Sequence, residues 1–230
     1  MRKSMNSKSV IALCLLFVMI LSSVSTSAFA ATSGGWSVSK ASYSFLSKSQ
    51  ITIFNKATKK LTGVSYQPVA LLAKQTVAGT NYVFLCQGKT VTANPTKAWY
   101  ILTASKSLKN KISLRSVKKI TISSIKTSKN PRRATVGGGL QIVNIKNKSA
   151  ALSKSVRKVF KKGIEKYTGY ELRPIALLGT QIVSGKNYRF LCYGTGHAGS
   201  DLFVVDIYQN TKGECSLKSC QALKLEKYVD

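Results

Sequence analysis

Gln75-Thr76-Val77-Ala78-Gly79-Thr80-Asn81-Tyr82 occurs a second time in this chain, as Gln181-Ile182-Val183-Ser184-Gly185-Lys186-Asn187-Tyr188. The match extends upstream, where Pro68-Val69-Ala70-Leu71-Leu72 recurs as Pro174-Ile175-Ala176-Leu177-Leu178. Downstream, Val83-Phe84-Leu85-Cys86 recurs as Arg189-Phe190-Leu191-Cys192. Two apolar runs flanking a short segment that ends in Gly read as a β-hairpin, the Gly supplying a positive φ near the turn. The spacing of the copies is too long for a solenoid unit and suits a duplicated domain.

Outward from the hairpins, each copy reads as a short strand, a helix and four strands. Leu152, Val156, Val159, Phe160, Ile164 and Tyr167 keep helical spacing, as Leu46, Ile53, Phe54, Ala57 and Leu61 do less cleanly. This predicts one long helix over 42–61 and another over 149–168. Hairpin strands are expected over 65–75 with 80–88 and over 171–181 with 186–194. A third strand is expected at Trp99–Ala104 and Leu202–Tyr208, and a fourth at Ser113–Ile125 and Ser216–Tyr228. The expected fold class is α+β, an antiparallel sheet wrapped on one helix in each copy.

The boundaries follow from composition. Arg2, Lys3 and Lys8 precede a twelve-residue apolar stretch from Val10 to Leu21, and Ala28-Phe29-Ala30 offers a cleavage site. Residues 1–30 therefore read as a signal peptide, and the protein as secreted, with no membrane span. The first domain is expected over 31–125, a linker over 126–135 around Asn130-Pro131-Arg132-Arg133, and the second domain over 136–230.

Charge divides the two copies. Removing the three signal-segment cations from the net charge of +29 leaves +26. Residues 31–134 carry 18 Lys and Arg and no acid, whereas 135–230 carry 15 and all seven acids. Such a chain adheres to polyanions by counterion release. Export makes nucleic acid a poor candidate for the intended target and leaves envelope polymers and acidic glycans.

Cys86 and Cys192 share a repeat position on the strand face of Tyr82/Phe84 and Tyr188/Phe190. Arg189 lies on the opposite face, so the Cys face reads as the inner one, with buried thiols. Cys215 and Cys220 align with Ile112 and Val117. Five residues of straight strand would hold them too far apart for a disulfide unless the chain bends.

Catalytic chemistry finds little support. The single His, His197, sits in a Gly-rich loop, and Gly194-Thr195-Gly196-His197-Ala198-Gly199 is followed by a strand where a phosphate-binding turn needs a helix. No residue set has metal-ligand spacing, no cofactor is implied, and the first copy lacks acids and His altogether. The chain reads as a non-enzyme.

A Gly near the start, one long helix, then Gln-x-Val-x-Gly in the first hairpin followed by Asn-Tyr resembles the cystatin family. The resemblance covers nearly all of both repeats in element order, with identity concentrated in the hairpin. It implies tandem cystatin-like domains that inhibit papain-like cysteine proteases. A wedge of an N-terminal Gly and two hairpin tips would enter the protease cleft. The residues so implied are Gly35, Gln75, Thr76, Val77, Ala78 and Gly79, and in the second copy Gly139, Gln181, Ile182, Val183, Ser184 and Gly185. The Pro-Trp pair that many secreted cystatins carry in the last hairpin is absent from Ser105–Asn110 and from Gln209–Glu214. The alternative expectation is an exported, non-inhibitory binding module that attaches to anionic polymers through its basic surface.

Overall fold

Alternating apolar residues and tight turns build most of the described residues into β-structure. The computed structural model describes residues 35–38, 46–121, 141–142, 152–197 and 199–229. The expected signal segment 1–30, the linker 126–135 and Gly139 lie outside the described residues. The first five-stranded sheet is ordered β1 (Trp36–Val38), β2 (Val64–Val77), β3 (Gly79–Thr90), β4 (Lys97–Ser107) and β5 (Ile112–Lys119). The second contains β6 (Gln141–Ile142), β7 (Glu171–Val183), β8 (Gly185–Gly196), β9 (Gly199–Gln209) and β10 (Cys215–Ala222). Every pairing is antiparallel between strands consecutive in sequence.

The duplication extends to irregularities. The β2–β3 register shifts between Pro68 and Ala70 and again between Leu71 and Ala73. The β7–β8 register shifts at the matching places, between Pro174 and Ala176 and between Leu177 and Gly179. A proline has no N–H to give the ladder, so a bulge is a natural place for it.

The helices are short, and this corrects the expected α+β class. Helix α1 is Lys48–Thr58 and α2 is Lys154–Gly163, 11 and 10 residues long. The described residues are mostly β, two antiparallel five-stranded sheets carrying short helices, and not two cystatin-like domains each built on a long helix. The reason lies in the caps. Ser47 accepts from Gln50 N–H while the Gln50 side chain accepts from Ser47 N–H, a capping box that starts α1. Ser153 caps α2 through Val156 N–H. Leu46, Leu152, Ile164 and Tyr167 therefore lie beyond the helix ends, yet they still pack on the cores. Their periodic spacing reflects burial and not helix. The fourth strand of the second copy also stops early, at Ala222, and a further short helix, α3 (Glu226–Val229), follows.

Each sheet buries both faces. On one face of the first, Phe54 of α1 meets Phe84 edge-on at 5.5 Å, in a cluster with Leu71, Cys86 and Leu102. On one face of the second, Phe160 of α2 meets Phe190 at 5.0 Å. The opposite face of the first sheet, with Val83, Leu85, Trp99 and Ile101, shares one buried cluster with Leu178, Leu191 and Leu202 of the second. Strand alternation puts Leu191 and Leu202 on the side of the second sheet away from Phe190. The sheets thus pack on each other, with a helix outside each. Helix α3 reaches across to the first copy: Ser116 Oγ donates to Tyr228 O at 3.1 Å, and Lys118 Nζ to Lys227 O at 3.2 Å. Among the described residues no helix is long and apolar enough to cross a membrane.

Candidate functional site at the hairpin tips

The turn chemistry of the repeated stretch places its residues. Gly79 has φ +122°, and a Cβ there would collide with the Lys106 carbonyl oxygen and lie 2.9 Å from Ser107 Cα. Only Gly lets the β2–β3 tip approach the β4–β5 turn this closely. That turn is closed by Ser107 N–H to Lys111 O at 2.9 Å and Asn110 N–H to Ser107 O at 2.9 Å, with Asn110 at φ 60°. Gly35 precedes Trp36, which pairs with Gln75. The structure therefore brings Gly35, the 75–79 stretch and the 107–111 turn to one end of the first sheet.

Their side chains divide. Thr76, Val77 and Ala78 are exposed, Val77 at 44%, and Leu108 on the neighbouring turn is 80% exposed. Gln75 is turned inward: Asn81 Nδ2 donates to its Oε1 at 2.7 Å, across the strand pair. The second copy repeats this arrangement with Asn187 Nδ2 to Gln181 Oε1 at 3.1 Å, both residues buried. The Gln and the Asn of the repeated stretch thus hold the hairpin together just below its tip. Ile182 is 68% exposed, Ser184 exposed, Val183 half-buried, and Gly185 sits at φ +113° under the Gln209 carbonyl.

Between the two tips of the first copy lies an open basin of about 310 Å³, whose lining includes Val77, Asn81, Ser105, Lys111, Ser113 and Arg115. Ser105 and Ser113 face each other across β4 and β5 with their hydroxyls 2.7 Å apart. The second copy differs at the matching positions. Tyr208 pairs with Ser216 as Ser105 pairs with Ser113, and the Tyr208 hydroxyl donates to Ser184 O across the tip. Lys218, in the place of Arg115, lies over the Tyr208 ring at 5.1 Å. Asn210 N–H bonds Glu214 O as Ser107 N–H bonds Lys111 O, so a carboxylate stands where the first copy has an ammonium. Sequence reading passed over Ser105, Lys111 and Arg115. Their signal was there, in the change to Tyr208, Glu214 and Lys218 when the copies are set side by side.

The remaining reactive groups are scattered. Cys86 and Cys192 are buried on the helix-facing sides of their sheets, and burial pushes both thiols well above their ordinary value. Cys215 and Cys220 are half-buried and unbridged. Cys215 is also pushed up by burial, with Lys162 opposing. Gly196 pairs with Gly199 at the β8–β9 turn, so the Gly-rich segment closes a hairpin and His197 sits exposed on its tip. Among the described residues no group of three His, Cys, Asp or Glu is placed to hold a metal ion.

No protein-family profile matches this chain, and no characterised protein matches it in sequence. Neither comparison identifies a cystatin family.

Proposed function

We propose that this is an exported, non-catalytic binding protein that holds anionic polymers through the basic surface of its first copy. One observation carries the reading: residues 31–134 hold 18 cations and no acid. The ion pairs Arg173–Glu171 and Arg189–Asp206 both lie in the second copy, where the acids are. Lys56, Lys74, Lys89, Lys109 and Arg115 are exposed on the first. Charges so placed act through counterion release, so affinity falls steeply with salt.

Because the copies share a buried cluster, the test uses the whole chain. Retention on immobilised heparin, as a model polyanion, is measured against sodium chloride. Neutralising Lys56, Lys74, Lys89 and Lys109 to Gln lowers the eluting salt further than neutralising Lys158, Lys161, Lys212 and Lys224. Salt-insensitive retention, or equal losses from the two sets, defeats the reading.

A second reading is supported by the exposure of Val77 and Leu108 on adjoining tips. Apolar residues on two rigid turns can enter a protease cleft with little ordering cost, so inhibition of papain-like cysteine proteases is the competing function. Gln75 would contribute only by holding the hairpin, because its side chain is engaged by Asn81. An inhibition assay against several such proteases decides it, and no inhibition by the parent chain ends it.

A further inference from the structure

We propose that the basin at the tip end of the first sheet binds a tetrahedral oxyanion, the sulfate or phosphate ester group of an anionic polymer. This rests on the polymer-binding reading above and names the group that is gripped. Arg115 offers a planar fork of N–H donors, which suits two oxygens of such a group, and Lys111 adds a point charge. Ser105 and Ser113 supply hydroxyl donors between them, 2.7 Å from each other. Asn81 beneath them is fixed through its own bond to Gln75. The volume of about 310 Å³ exceeds that of one oxyanion and leaves room for the adjoining sugar or alkyl unit.

The second copy is the internal control. Its β8–β9–β10 frame has the same pairing, but Tyr208 spans the tip to Ser184 O and Glu214 replaces Lys111. Lys218 is drawn over the tyrosine ring. Lys186, which the second copy has in place of Thr80, lies over Tyr188 at 5.2 Å, on the helix side of the sheet. One backbone frame thus carries an open cationic basin in the first copy and a tyrosine-covered one in the second. Lys106, paired with Thr80, also borders the basin, so Lys106, Lys111 and Arg115 are the charges assigned to the site.

The experiment titrates the full ¹⁵N-labelled chain with methyl phosphate and methyl sulfate in parallel, at constant chloride. Saturable shifts of the Ser105, Lys111 and Ser113 amides are expected with at least one ester, and the tighter ester identifies the polymer's chemistry. Binding weakens at least tenfold in Ser105→Tyr and in Lys111→Glu, which import residues the second copy already accommodates. It is unchanged in Lys154→Gln, which removes an exposed cation from α2 of the second copy. Unsaturable shifts, or equal binding by Ser105→Tyr and the parent, overturn the proposal. Heparin retention is run on the same samples. Its persistence would leave the broader reading standing without this site, and its absence would defeat that reading itself.

Discussion

Trp99 of the first sheet donates its indole N–H to the backbone carbonyl of Leu178 in the second, at 2.6 Å. Leu178 is the residue that the β7–β8 register skips between Leu177 and Gly179, so a bulge in one sheet is tied to a side chain of the other. Trp99→Phe keeps the aromatic bulk but removes the donor to this buried carbonyl. The expected cost is about 1–3 kcal/mol, read as a lower urea midpoint at unchanged slope.

Arg189 and Asp206 form a two-point pair at 2.6 and 2.7 Å on the face between the sheets, and Ser219 Oγ adds a third bond to Asp206 at 2.9 Å. Asp206→Ala strands a buried guanidinium and is expected to cost about 3–5 kcal/mol. The first copy shows how the same position is filled without charge, by Val83 opposite Thr103. Arg189→Val combined with Asp206→Thr is therefore expected to recover most of that loss. Thr103 Oγ1 is buried with no hydrogen-bond partner among the described residues, so Thr103→Val is neutral or stabilising. Denaturant melts of the three variants check both statements.

Gly79 and Gly185 hold positive φ against a neighbouring carbonyl, so a side chain there meets both backbone strain and a collision. Gly→Val at either is expected to cost about 1–3 kcal/mol from the dihedral strain alone. Gly63, at φ +78°, has open space around its missing side chain, so Gly63→Ala meets only the strain. Thermal melts should therefore order the variants with Gly63→Ala the mildest. Loss of ester binding in Gly79→Val but not in Gly185→Val would separate the tip of the first copy from that of the second.

Burial raises the Cys86 and Cys192 thiols above the ordinary value of 9.0. The neutral thiol is the form the folded state favours. Its contribution is complete below pH 9.0 and is lost as pH climbs beyond it, because the unfolded chain then releases protons that the folded chain retains. Stability is expected to fall above about pH 9, and Cys86→Ala to flatten that fall. A thiol reagent at pH 8 should label Cys86 and Cys192 only after denaturation.

The hairpins were legible because strand alternation and the duplicated Gln-to-Gly stretch are local signals. Helix length was not, because Leu46 and Leu152 continue the apolar spacing outside the caps Ser47 and Ser153. Ser47 with Gln50 was the available signal for the later start. The second buried face was hidden by Arg189, whose charge marked that face as outer. Its partner, Asp206, is on the next strand, and only the register reveals that the two meet. At the site, the exposed tips were read correctly as turns. The inward pairing of Gln75 with Asn81 and the basin beside it depend on cross-strand contacts that no single stretch displays.

Helix α3 lies on strands formed more than a hundred residues earlier, with Tyr228 and Lys227 held by Ser116 and Lys118. A chain emerging from its N-terminus would carry the first sheet with one apolar face unmet until the second sheet and residues 223–229 had followed. The copies look like two independent folding events in sequence, but neither finishes alone. Synthesis leaves a sticky half-product waiting for its other half, and an early stop codon anywhere after residue 121 would leave that product permanently unfinished.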